Sequence, residues 1–525
     1  MGIGLGTAAR RAAVIATTVG VLSGCAYVGR ISDPGPGASP TGADGTVAAS
    51  ADGRYVVYAA YHDRTPHGES EEDVYLYDAA TSTRELVSIG FDGTPGNDWS
   101  FSPSISADGR YVAFASDADN LVPDDQNSST DVFVRDRVAK TTTRVSVATG
   151  GGEADDWSYD PSISDDGRYV AFTSDSDLLV PSLDSNGSSD VFVRDRTLGK
   201  TVLASTSGSM PNTDFGAWSP QIAGNGKFVA FVTDTAMLAA DTNDDYDVYL
   251  RNLVSNTTAW ISKPRVGFPD GGGGDEPSVS VDGKFVAFSS WATDLDTTAV
   301  ADDTYDSDVF LRDITNARTT RVSVATNGKL LPGESSTPSI SGDGRWIAFA
   351  STGNASGTDT NGPVPDVFVR DMILGRTALV STSANLTQAS GPVWAPRISR
   401  DGRYAYWRSD AVFHPDDENG LTDFYYRAVQ VPKVTSITPA TLTRGTSKTV
   451  TINGQGFLGG IQLWMPDGVT ASGITWNGDA SITATFTAAA NAPVGPQTVY
   501  VSNQGTGPGV VTGGTGECKS CLTIN

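Results

Sequence analysis

Four groups of residues in this 525-residue chain have types and spacing that could do chemistry. The first is acidic. Asp, Asn and Asp recur at offsets of zero, two and six as Asp125-Asn127-Asp131, Asp184-Asn186-Asp190, Asp241-Asn243-Asp247 and Asp417-Asn419-Asp423. Asp359-Asn361 is a partial copy whose last member, Asp366, is displaced by one, and Thr304 stands between Asp302 and Asp308 in another. Calcium takes several oxygen ligands from a compact loop, and D-x-N spacing can supply them, though no Glu follows as the twelfth ligand of an EF-hand. The same residues also suit Asx-turns that open a strand. Calcium is the one candidate cofactor, and both readings stay open.

The second group is aromatic. Trp99 and Trp157 precede prolines by four residues, and Trp218 and Trp394 by two. Indoles at such repeated places could stack on sugars or anchor a partner protein; packing between neighbouring units is the plainer alternative. The third group is His62, His67 and His414, which could converge on a metal but lack the spacing of a zinc site. The last is the pair Cys518 and Cys521. A C-x-x-C pair can be a redox motif, but no βαβ pattern accompanies it, and a structural disulfide is the simpler expectation. No H-E-x-x-H, G-x-S-x-G or phosphate-binding loop occurs, and acidic pairs such as Asp155-Asp156 are too common here to mark a general acid and base. No catalytic residue is assigned.

The elements that must position these groups are repeated. A D/N-G-R/K turn recurs at Asp52-Gly53-Arg54, Asp108-Gly109-Arg110, Asp166-Gly167-Arg168, Asn225-Gly226-Lys227, Asp282-Gly283-Lys284, Asp343-Gly344-Arg345 and Asp401-Gly402-Arg403, at intervals of 56 to 61 residues. Fixed spacing over most of a chain marks an array of supersecondary units. Each unit reads as four strands. A segment such as Pro103-Ser104-Ile105-Ser106 precedes the turn, and Asp-Gly is a strong hairpin signal because Gly accepts a positive φ. Tyr111-Val112-Ala113-Phe114-Ala115 follows, then a variable loop, then Asp131-Val132-Phe133-Val134-Arg135-Asp136, then a Thr-rich turn and Arg144-Val145-Ser146-Val147. No helical period of useful length appears.

Units that are apolar on both faces need neighbours on both sides, which radial closure provides. The segments Pro-Ser-Ile-Ser-x-Asp-Gly-Arg-Tyr-Val-Ala-Phe and Asp-Val-Phe-Val-Arg-Asp also resemble the WD40-like propeller repeats of the TolB family over roughly residues 42–430. The expected fold is therefore all-β: a seven-bladed β-propeller over residues 26–430, followed by a small Ig-like β-sandwich over 431–525. The seventh unit lacks its fourth strand. Arg30-Ile31-Ser32 echoes Arg144-Val145-Ser146 at the same distance from the next unit, so residues near 28–32 are expected to complete blade 7. The turns would then occupy one face. The long loops and the links between blades would occupy the other, which is the expected recognition surface.

Residues 1–25 read as a leader. Arg10-Arg11 precede the short apolar run Ala12 to Gly24, which is too short to span a bilayer. Leu22-Ser23-Gly24-Cys25 resembles a bacterial lipobox, which implies a lipid on Cys25 and an extracytoplasmic protein held at the cell membrane. The formal net charge of -25 argues against nucleic acid and leaves basic proteins, cations and neutral glycans as partners. From about Lys433 the charge drops, and Val434 to Pro439 with Thr449 to Phe457 resemble the start of an IPT/TIG Ig-like domain. Gly505 to Gly516 reads as a mobile loop before the cysteine pair. The expected function is a monomeric, non-catalytic binding scaffold for an envelope protein or cell-wall glycan. The alternative is a carbohydrate-active enzyme, a metal-assisted lyase or hydrolase, using the loop face.

Overall fold

The computed structural model describes residues 28–31, 45–63, 70–206, 216–243, 245–265, 272–296, 306–354, 361–382, 388, 390–413, 421–429, 433–457, 461–477, 480–504 and 512–525. Every regular element among them is a strand. The strands form nine four-stranded sheets, seven within residues 28–428.

Each Asp-Gly-Arg turn builds a hairpin in the same way. In the second sheet, Asp108 accepts from the backbone N–H of Arg110 and from Ser106 Oγ, which in turn accepts from the N–H of Tyr111. Gly109 takes φ 73°. Strands Ser100–Ile105 and Tyr111–Ser116 therefore pair antiparallel, and Asp131–Asp136 and Thr141–Arg144 extend the sheet outward in sequence order. The turn arginine also reaches the end of the third strand. Arg110 Nε and Nη2 donate to the two oxygens of Asp136 at 3.0 and 2.7 Å, and Arg54–Asp78, Arg168–Asp195 and Arg345–Asp371 repeat the fork. A planar guanidinium matches a carboxylate in this bidentate way and an ammonium does not. In the fourth sheet, where the arginine is Lys227, the carboxylate is replaced by Asn252.

The seven sheets are joined in a cycle. Backbone N–H to C=O bonds link the turn ends of successive sheets: Ala51 to Ala107, Ala107 to Asp165, Asp165 to Gly224, Asn225 to Val281, Val281 to Gly342 and Gly342 to Arg400. Asp401 N–H then donates back to Ala51 C=O at 3.0 Å. The turn glycines follow the same cycle. A Cβ on Gly109 would strike Tyr55, one on Gly167 would strike Tyr111, and the last aromatic, Tyr404, lies against Gly53 of the first sheet. The apolar cores likewise fall between sheets. Val57, Leu76 and Val87 of the first pack with Val112, Phe114 and Phe133 of the second. Tyr406, Phe424 and Tyr426 of the seventh pack with Val47, Val56 and Tyr58 of the first. Across the middle of the cycle, Arg400 Nη1 meets Asp165 Oδ1 at 2.8 Å. A Cβ on Gly224 would collide with both side chains, so a larger residue there must displace this pair.

The seventh sheet is completed from the N-terminal side. Val28–Arg30 pairs antiparallel with Asp423–Ala428, in the register Val28↔Arg427, Gly29↔Tyr426 and Arg30↔Tyr425. This is the pairing that the Arg30-Ile31-Ser32 echo predicts. Ile31 is fully buried in the core shared by the first and seventh sheets.

The remaining two sheets stand face to face. Lys433–Thr438, Ser447–Gln455, Ser481–Ala488 and Val469–Trp476 form one, and Thr441–Leu442, Thr512–Ile524, Gly495–Gln504 and Ile461–Trp464 the other. Val450, Ile452, Ile482 and Phe486 from the first meet Val499, Val501 and Leu522 from the second in one core. Cys518 and Cys521 are disulfide-bonded within Thr512–Ile524. The glycine-rich stretch departs from its sequence expectation: from Thr512 onward it is strand, paired with Gly495–Gln504. Glycine costs backbone entropy in a strand, but a partner along the whole edge supplies hydrogen bonds that offset it. The guanidinium of Arg403, from a turn of the seventh sheet, lies 5.3 Å from the Trp476 ring centroid and ties the two parts together.

Candidate functional site

The loops after each second strand and the links between sheets share the end opposite the turns, and the acidic sets lie there. The last Asp of each set opens a third strand and is buried: Asp131, Asp190, Asp247, Asp308, Asp366 and Asp423 are all below 6% exposed. A serine after the fourth strand donates to it, as from Ser146 to Asp131, Ser205 to Asp190, Ser262 to Asp247, Ser323 to Asp308 and Ser381 to Asp366. That serine oxygen also accepts the N–H after the Asp, at 3.1 Å for Val132. The middle Asn makes an Asx-turn. Asn127 Oδ1 accepts from Ser129 N–H at 3.0 Å, Asn186 from Ser188 at 3.0 Å and Asn243 from Asp245 at 3.3 Å. Asp417, Asn419, Asp359, Asp302 and Thr304 lie outside the described residues.

In the second sheet the set becomes an ion-pair cluster. Asp125, Asp131 and Glu153 come within ligand distance of one another, and Arg144 sits among them, 3.1 Å from Asp125 and from Asp131 and in contact with Glu153. Burial pushes Asp125 up to about 6; the Asp131 charge adds to this and Arg144 opposes it. The guanidinium fills the place a metal would take. The fifth and seventh sheets repeat the pair as Arg321–Asp308 and Arg30–Asp423.

The four tryptophans divide. Trp99 and Trp157 immediately precede the first strands of the second and third sheets and are 42% and 58% exposed. Trp218 and Trp394, expected in links, lie inside the bulged first strands Ala217–Ile222 and Val393–Ile398. Spacing to the proline sets this difference: Ser102, Asp160, Ser219 and Ala395 all take left-handed φ at a bulge just before a Pro, and an indole two residues before that Pro falls inside the strand whereas one four residues before it falls ahead of the strand. Trp218 packs edge-on against Tyr246 at 5.3 Å, and Trp394 lies beneath Arg408.

A pocket of about 580 Å³ opens between the third and fourth sheets at the loop end. Asp155, Asp156, Asp175, Asp177, Ser188, Ser189 and Trp218 line it. Ser176 Oγ donates to Asp155, Ser189 Oγ to Asp175 and Gly187 N–H to Asp177, at 2.6, 2.6 and 3.1 Å. Four carboxylates beside an indole repel anions and favour cations or hydroxyl-rich ligands, since a ring face attracts positive charge. The Asp155-Asp156 pair, too common in sequence to single out, is brought to Trp218 only by the packing of one sheet on the next. His62 contributes backbone pairing with Glu71, while the side chain of His62, and His67, His414 and Cys25, lie outside the described residues.

The family described as quinohemoprotein amine dehydrogenase, alpha subunit domain III, matches residues 431–511. No curated protein sequence matches the chain. Among solved structures, the chain is similar to a putative TolB from Agrobacterium tumefaciens at 16% identity, covering 69% of this chain and all of that one with a TM-score of 0.36. It is also similar to the β-propeller domain of the Trilobed protease from Pyrococcus furiosus, at 9% identity over 77% of this chain and 94% of that one, TM-score 0.45. The RRP9 WD40 repeats align at 9% identity over 77% of this chain and 99% of that one, TM-score 0.39.

Proposed function

We propose that the chain is a non-catalytic binding scaffold that holds an envelope protein or cell-wall glycan on its loop end. In this reading residues 1–25 are a lipoprotein leader, residues 26–430 a closed seven-bladed propeller and residues 431–525 an Ig-like sandwich. A lipid on Cys25 holds the protein outside the cytoplasmic membrane. The cycle of seven turn-end hydrogen bonds, returning from Asp401 to Ala51, supports the closed propeller. Val28 lies a few residues after Cys25, so the anchor would hold the turn end toward the lipid and leave the loop end facing away.

The observation that carries the scaffold reading is the exposure of Trp99 and Trp157 on the end that also bears the acidic pocket with Trp218. Large exposed indoles beside polar groups are the composition of binding hot spots. The test is capture of partners from native envelope by the full chain and by Trp99→Ala/Trp157→Ala. Saturable capture that the double variant loses by tenfold or more supports the scaffold. Equal capture by both proteins rejects the loop end as the binding surface. Turnover of a glycan by the full chain would favour the carbohydrate-active alternative.

A further inference from the structure

The internal repeat contains its own control for the acidic sets. Where the fourth strand ends in arginine, the guanidinium bonds the second oxygen of the buried strand Asp. Arg144 reaches Asp131 Oδ2, Arg321 reaches Asp308 Oδ2 and Arg30 reaches Asp423 Oδ2. In the sixth sheet that position is Leu379, and Gln388 Nε2 donates to Asp366 Oδ2 instead. The fourth sheet carries Trp260 at the same register, opposite Tyr249 as Arg144 is opposite Phe133. Its indole N–H, Ser262 Oγ and Gly273 N–H all donate to Oδ1 of Asp247. Oδ2 of Asp247 accepts nothing from the described residues.

A second buried oxygen is in the same condition. Asp241 Oδ2 accepts from Tyr249 OH, while Asp241 Oδ1 has no partner among the described residues. Asp241 is 6% exposed and Asp247 1%. Their charges repel one another, and burial raises both carboxyls. Buried carboxylate oxygens without donors are costly, and the second, fifth and seventh sheets relieve that cost with a guanidinium.

We propose that the fourth repeat binds a hard divalent cation, calcium, at Oδ1 of Asp241 and Oδ2 of Asp247, in the place that Arg144, Arg321 and Arg30 occupy in their own sheets. Carboxylate oxygens select calcium over soft metals, and backbone carbonyls and water complete such coordination. Trp260 makes the site by supplying one neutral donor where Arg144, Arg321 and Arg30 supply a charge.

Calorimetry of the full chain with calcium chloride tests this. The wild type binds one more equivalent of calcium than Asp241→Asn, which keeps the shape and removes the charge. Trp260→Arg, which imports the guanidinium of the sister sheets, also loses that equivalent while keeping the fold. Chelator lowers the melting temperature of the wild type but not of Trp260→Arg. Equal uptake by the wild type and Trp260→Arg, or no uptake by the wild type, overturns the assignment.

Discussion

Replacing Gly109 with alanine should destabilise the protein by two separable effects. Gly109 sits at φ 73°, so an alanine pays the left-handed cost of about 1–2 kcal/mol. The new Cβ would also lie 2.8 Å from Cγ and 2.9 Å from Cε2 of Tyr55, with Cδ2 nearer still. Carbon atoms pack at about 3.5–4.0 Å, so the Tyr55 ring must move. Such overpacking costs about 1–3 kcal/mol. Gly187→Ala isolates the first effect. Gly187 has φ 66°, and a Cβ there meets nothing within 4 Å. Urea unfolding followed by tryptophan fluorescence should therefore place Gly109→Ala about 1–3 kcal/mol below Gly187→Ala. In a Tyr55→Ala background the difference should vanish, because the colliding ring is gone. Equal destabilisation by the two single variants would refute the claim that each turn glycine makes room for the aromatic ring of the preceding sheet.

Other consequences are open to direct measurement. Arg30→Met takes the paired cation from the buried carboxylate of Asp423, and urea unfolding should show a loss of about 3–5 kcal/mol; a loss below about 1 kcal/mol would mean that the closing strand does not depend on this pair. Deleting residues 26–33 should lower the melting temperature sharply, since it removes the strand that pairs with Asp423–Ala428 on that edge and the buried Ile31; an unchanged melt rules the closure out. The Arg110 hydrogen bond holds the Asp136 carboxyl down at about 2. A depressed carboxyl contributes stability above its unfolded pKa and loses it as pH falls toward 2. The pair is solvent-screened, so Arg110→Gln should have only a small effect at neutral pH and should flatten the stability profile between pH ~4 and ~2. An unchanged acid profile contradicts the role given to this fork.

The sequence by itself determined the strands and their order. Asp-Gly-Arg after Pro-Ser-Ile-Ser is a local hairpin instruction, and its recurrence specifies repeated four-stranded units without long-range information. Even the closing strand was legible, because Arg30-Ile31-Ser32 repeats a fourth-strand pattern whose partner was missing at the far end. The acidic sets were visible as a pattern but not as a chemistry. Whether the second oxygen of Asp131 or Asp247 meets a guanidinium depends on the residue that ends the next strand, Arg144 or Trp260, and strand register decides that. The pocket was not legible at all. Asp155, Asp175 and Trp218 come from different strands and loops, and only the packing of the third sheet on the fourth brings them to one opening. Spacing along a chain fixes hydrogen-bonded turns over a few residues. Convergence of side chains from separate sheets is set by tertiary packing, which no local pattern encodes.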